Sequence, residues 1–112
     1  MNWPEEFAPQ AIRDVEEAVD WLADNGGPHV ARRMALATVE AARRTVERPL
    51  TGHMRSELLP APFRFRAVRG FPYLLVYDSS QTPAKILRVL HMARDLPPLL
   101  ADLRDPSDPP EQ

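Results

Sequence analysis

No cysteine occurs in the chain, so neither disulfides nor thiolate-held metals stabilise it. Lysine is almost as rare: of 14 basic residues only Lys85 is not arginine. The four glycines form no phosphate-cradling loop and no Gly-x-Ser-x-Gly elbow, which removes nucleotide and acyl-transfer readings. No apolar run is long enough to cross a bilayer, and the acidic opening MNWPEEF lacks a signal-peptide core. A cytoplasmic protein without membrane contact is therefore expected. His29, His53 and His91 are far apart and lack metal-ligand spacing, so neither a metal nor another cofactor is expected. The two tryptophans and four phenylalanines do not interleave with a basic run, as platforms for nucleic acid would. A net charge of −2 also suits phosphate gripping poorly.

What is present fits one domain. A chain of 112 residues buries roughly two-thirds of its unfolded surface. The domain should occupy residues 1–104, with 105–112 (DPSDPPEQ) a disordered tail. Charge divides along the sequence. Residues 1–25 carry seven acidic side chains against Arg13, whereas residues 26–70 carry nine arginines against Glu40, Glu47 and Glu57. The plain account is an acidic helix lying beside a basic one. The sharper account is a basic surface for an acidic partner.

Pro9 suits a first helical turn, and Ile12, Val15, Val19 and Leu22 follow on one face. Asn25-Gly26-Gly27 ends that helix, and Pro28 opens a second over 28–47. Ala31, Ala35, Val39, Ala42 and Val46 mark the inner face of the second helix, flanked by Met34 and Leu36. Its alanines favour a close antiparallel hairpin. Glu40–Arg44 and Arg43–Glu47 are spaced to pair, each contributing about 0.3 kcal/mol. Pro4 restricts residues 1–7 to a short edge strand at most. A proline-rich connector over 50–62 leads to a strand at 63–69, with Phe63, Phe65 and Ala67 on one side and Arg64, Arg66 and Val68 on the other.

Residues 73–77 and 85–90 are apolar runs joined by a turn, which makes a central β-hairpin. Asp95 then stands where it can cap a short final helix packed through Leu96, Leu99, Leu100 and Leu103. The expected fold is α+β, an antiparallel helical hairpin on one face of a three- to four-stranded antiparallel sheet, with a short C-terminal helix. The other sheet face should be partly open, and an antiparallel sheet tolerates that.

Within this stretch, Arg88-Val89-Leu90-His91-Met92-Ala93-Arg94-Asp95-Leu96 resembles the ending of ParE-like toxins in the RelE/ParE superfamily of bacterial toxin–antitoxin systems. Tyr73-Leu74-Leu75-Val76-Tyr77 is similar to the aromatic strand preceding it. Ala11-Ile12-Arg13-Asp14 and Arg48-Pro49-Leu50-Thr51-Gly52 are similar to the family's first-helix opening and its connector. The chain departs from the family pattern at Asp78, where a basic residue is usual, and at Met92, where glycine is usual. The resemblance implies a toxin that arrests growth by binding a target, DNA gyrase in the ParE branch. It also implies neutralisation by a cognate antitoxin with a DNA-binding domain of the ribbon-helix-helix type. An acidic amphipathic tail would suit the basic segment of this chain. Direct sequence-specific DNA binding by this chain is not expected.

Two alternatives stay open: a RelE-like endonuclease cutting ribosome-bound mRNA, and a non-toxic relic serving in a repressor complex. Cutting RNA needs an acid, a base and cations for the developing charge. Arg64, Arg66, Arg69, Tyr77, Arg88 and His91 would supply these if they converged. The mildly acidic balance favours a binding inhibitor. Arg64, Arg66, Arg69 and Tyr77 are then candidates for a target or antitoxin surface. Arg88 should share a strand face with Ile86 and Leu90 and, with Arg94 and Asp95, form a structural ion-pair clamp, Asp78 being a second possible partner.

Overall fold

The computed structural model describes residues 3–104; the expected tail at 105–112 lies outside them. Two helices come first, α1 (Pro9–Gly26) and α2 (Pro28–Glu47). Each has proline in its first turn, and between them only Gly27 is non-helical, at φ 91°. That left-handed value is open to glycine at little steric cost, which permits so abrupt a reversal. The hairpin is as tight as the alanines suggested. Its contact face is rotated, however: α2 buries Ala31, Met34, Ala35, Thr38, Ala41, Ala42 and Thr45, while Leu36 is exposed. Two fully buried threonines are tolerated because each hydroxyl donates to the carbonyl four residues earlier, Thr38 to Met34 and Thr45 to Ala41, both at 2.8 Å. Of the expected helix-surface pairs, Arg43 takes both acids, Glu40 and Glu47, so the Glu40–Arg44 pair does not form.

A three-stranded antiparallel meander follows, β1 (Phe63–Ala67), β2 (Tyr73–Asp78) and β3 (Lys85–His91), in the order β1-β2-β3. The expected opening strand reduces to one parallel bridge, Phe7 to Ile86. Ala8 N–H donates to the Ile86 carbonyl at 2.7 Å, and Ile86 N–H to that of Glu6 at 2.8 Å. Register pairs Tyr77 with Ile86 but Val76 with Arg88, so Leu87 bulges. The bulge puts Ile86 and Arg88 on opposite faces, against the shared face that simple alternation implies.

Both sheet faces are covered. Leu75, Tyr77, Ile86 and Val89 pack under the helices with Ala11, Val15 and Met34. The second face, expected to be partly open, carries its own core: Phe65, Leu74, Val76 and Leu90 lie under Leu58, Leu59, Leu96 and Leu100. The short helix α3 (Leu96–Leu100) and the Leu58-Leu59 pair supply enough leucine to close it. Asp95 occupies the cap position of α3 without a side-chain bond.

The connector is fastened by one tyrosine. Tyr77, fully buried, donates its hydroxyl to the Pro49 carbonyl at 2.6 Å and accepts from Gly52 N–H at 3.0 Å. A Cβ on Gly52 would overlap that hydroxyl and ring, so close approach accounts for the glycine. Removing the hydroxyl leaves the buried Gly52 N–H without its partner. Tyr77→Phe should therefore lower stability by about 1–3 kcal/mol, read from denaturant unfolding.

Asp78 orders the β2–β3 turn. Burial pushes its pKa up, but bonds from the Ser80 hydroxyl, the Gln81 amide and Ser80 N–H outweigh it and hold the group below its ordinary value of 3.8. A depressed folded value means the contribution is complete above pH 3.8 and is lost as pH falls through the lowered value. The Ser80 amide resonance should shift in that acidic window, and Asp78→Asn should abolish the shift.

Candidate functional site

Three constellations of chemistry-bearing side chains emerge. The first lies at the outer edge of β3. Arg88 holds Asp14 with both arms, Nε to Oδ2 at 2.8 Å and Nη2 to Oδ1 at 3.1 Å, while Nη1 donates to the Leu99 carbonyl at 2.7 Å. Asp14 also accepts from Val89 N–H at 3.0 Å and from the Gln10 amide at 3.1 Å. The pair is enclosed, with side-chain exposures of 16% for Arg88 and 7% for Asp14. The bond to Asp14 raises the Arg88 pKa against the opposing effect of burial. A clamp is therefore present, but its acid is Asp14 on α1. Asp95 and Arg94 are exposed and take part in no ion pair among the described residues. Asp78 is committed to its own turn. The physical reason is the edge position of β3: Arg88 can fold around the strand to reach a helix, whereas Asp95 faces solvent.

The second constellation is a groove between α1 and the meander, formed by two adjoining cavities of about 230 and 360 Å³. Trp21, Tyr73, His91 and Arg94 line both, Leu22, Phe71 and Pro72 make one wall, and Asp14 and Glu17 lie at one end. Trp21 is 61% exposed there. His91 Nδ1 accepts from Ala93 N–H at 3.0 Å, and its ring meets Tyr73 edge-on at 5.0 Å. Those contacts tie His91 to the turn that follows β3.

The third constellation is at the β1 edge. Arg64 and Arg66 lie on the helix side of the sheet, beside the end of α2 and the short turn at Pro49–Thr51. Arg64 Nη1 donates to the Gly52 carbonyl at 3.0 Å. Arg66 donates to the Thr45 hydroxyl at 2.9 Å, the Thr51 hydroxyl at 2.7 Å and the Arg48 carbonyl at 3.2 Å, and stands 5.9 Å over the Tyr77 ring. Arg69 is exposed in the β1–β2 turn. Arg44, from α2, joins them with Nε and Nη1 enclosed and without a hydrogen-bond partner among the described residues; Arg64 Nε is in the same condition. Burial, then the charges of Arg69 and Arg66, press the Arg44 pKa down.

The six residues a nuclease would need do not converge. Arg66 meets Tyr77, but Tyr77 is buried, and Arg88 and His91 belong to β3, across β2 from the β1 arginines. Among the described residues, no three His, Asp or Glu side chains come together as metal ligands, and no helix is long and apolar enough to cross a membrane. Sequence reasoning missed Asp14, Arg44 and Trp21 as members of these sites. Trp21 carried a usable signal, a large aromatic one residue off the Val15–Val19–Leu22 stripe.

A helical hairpin on a three-stranded antiparallel meander, closed by a short C-terminal helix, is the α+β class expected above. The chain belongs to the family described as ParE toxin of type II toxin-antitoxin system, parDE, whose model matches residues 6–96. It is a ParE-type toxin. A solved structure described as the chromosomal ParDE TA system from P. aeruginosa is similar in fold, with a TM-score of 0.65 and 18% sequence identity over 76% of this chain and 90% of that one. No curated protein matches the chain.

The Arg88–Asp14 pair yields a direct test. Breaking a buried pair leaves an uncompensated charge, so Asp14→Ala should destabilise the fold by about 3–5 kcal/mol in denaturant unfolding. Asp95→Ala should leave stability within about 0.5 kcal/mol, as an exposed residue without an ion pair would.

Proposed function

We propose that this toxin acts by binding a cellular target, DNA gyrase, and that a cognate antitoxin neutralises it by covering its surface. Family membership supports the toxin half of this reading. The observation carrying the choice of binding over cutting is the internal engagement of the acid–base candidates. Tyr77 bonds the connector, His91 bonds its turn, and Arg88 bonds Asp14 and Leu99. General acid–base chemistry needs such groups free to reach a substrate proton.

The partner is an antitoxin with a ribbon-helix-helix DNA-binding domain and an acidic amphipathic tail. DNA recognition in that complex belongs to the antitoxin. The Trp21 groove, apolar along Leu22, Phe71 and Pro72, offers anchor pockets for the tail's hydrophobic residues. Of the arginines proposed for the target or antitoxin surface, Arg69 remains free to face a partner, whereas Arg64 and Arg66 are partly spent on the fold.

Expression of the free protein should arrest growth with filamentation and induction of the DNA-damage response, and the purified protein should inhibit supercoiling by gyrase. Rapid loss of translation with cut mRNA would establish the endonuclease reading instead, and normal growth the relic. In the purified complex, Trp21→Ala should accelerate antitoxin dissociation by about tenfold or more, as loss of a central aromatic anchor does.

A further inference from the structure

Arg44 carries two enclosed donors without a hydrogen-bond partner among the described residues. Its neighbour on the helix, Arg43, has captured both nearby acids, Glu40 and Glu47. Enclosed donors with no acceptor cost stability, and a cation beside two others costs more. Arg66 adds a guanidinium held in place through Nε and Nη2 by Thr45, Thr51 and Arg48, contacts that do not use Nη1. Arg69 completes the group from the β1–β2 turn. Two adjoining depressions of about 360 and 230 Å³ open over these residues, with Arg44, Thr51 and Arg66 common to both.

We propose that Arg44, Arg66 and Arg69 form a preorganised receptor for a side-chain carboxylate of an acidic peptide segment. A carboxylate seated over the group can accept from the unused Nη1 of Arg66 while its charge offsets those of Arg44 and Arg69. Donors already held in place lose little freedom on binding, which favours affinity. The surroundings select a peptide over nucleic acid. Of the two rings lining the smaller depression, Phe65 is only 1% exposed, so the imidazole of His53 stands alone beside the cations, short of the row of rings on which successive bases stack. The chain as a whole is also slightly acidic, at −2. Assigning this peptide to the antitoxin tail rests on the proposed function; the site and its ligand chemistry do not.

The test uses the full chain and a short synthetic peptide alternating glutamate with leucine, followed by fluorescence anisotropy and thermal shift. The peptide should bind and raise the Tm, a glutamine-for-glutamate version should not, and Arg44→Gln or Arg69→Gln should weaken binding about tenfold or more. Without peptide, Arg44→Met should raise the Tm, because it removes an enclosed unpaired charge while keeping apolar bulk. A marked fall in Tm for Arg44→Met would show an internal role for Arg44 and overturn the receptor. Equal binding of the two peptides would overturn it, as would no binding at all. Tighter binding of single-stranded oligouridylate than of the acidic peptide would make this a nucleic-acid site. Binding of inorganic phosphate alone would reduce it to an adventitious ion only. None of these readouts depends on toxicity, so failure of growth arrest and failure of the receptor are separate results.

Discussion

Arg88 leaves β3 on the side of the second core, yet its guanidinium reaches Asp14 on α1 and the carbonyl of Leu99 in α3. One side chain thereby joins the helical layer, the sheet edge and the C-terminal turn. Such a charge is tolerable inside a fold only when nearly every donor and acceptor is satisfied. Here Val89 N–H and the Gln10 amide complete the carboxylate. The arrangement depends in turn on the bulge at Leu87. Without that extra residue Arg88 and Ile86 would share one face, so either Arg88 would point into the core beneath the helices or Ile86 would be turned out of it.

The same economy explains why arginine dominates so completely over lysine. Arg64, Arg66, Arg88 and Arg104 each donate to a backbone carbonyl in a connector or terminal segment, those of Gly52, Arg48, Leu99 and Leu58. A planar fork with several fixed donors can serve a carbonyl and a second acceptor at once, whereas an ammonium acts as a point charge. Two of the nine arginines between residues 26 and 70, Arg64 and Arg66, are thus drawn into internal fastening. What is left for partners separates to the two sides of the sheet. An apolar groove with an acidic end lies by β3, and a group of cations by β1.

The large features were legible in the sequence because they are repetitive. Stripes at helical spacing, proline and glycine punctuation and two apolar runs around a turn each carry their structure locally, and the helix bounds, the meander order and the C-terminal helix all followed. Three things were not legible. The bulge at Leu87 has no compositional mark, so alternation put Arg88 on one face with Ile86 as well as with Leu90, and only the second holds. The rotation of α2 onto Thr38 and Thr45 depends on hydroxyls bonding their own helix, which a polar–apolar count reads as surface. The partner of Arg88 lies 74 residues away, and the nearer acids in the sequence were chosen because sequence separation was the only distance in view. Long-range pairing of charges is where local reasoning ends.

Each outer strand of the meander is met by a single bridge from a non-strand residue, Phe7 against β3 and His53 against β1. His53 exchanges both of its bonds with Phe65, at 2.7 and 2.8 Å. Unpaired edges invite other chains to add strands, and short irregular plugs of this kind block that at little cost. A three-stranded sheet has two such edges, and in a small protein they make up much of its backbone surface. The two plugs act as spacers between copies: each engages backbone groups that a neighbouring strand would need, so the grooves beside β3 and β1 are left uncovered.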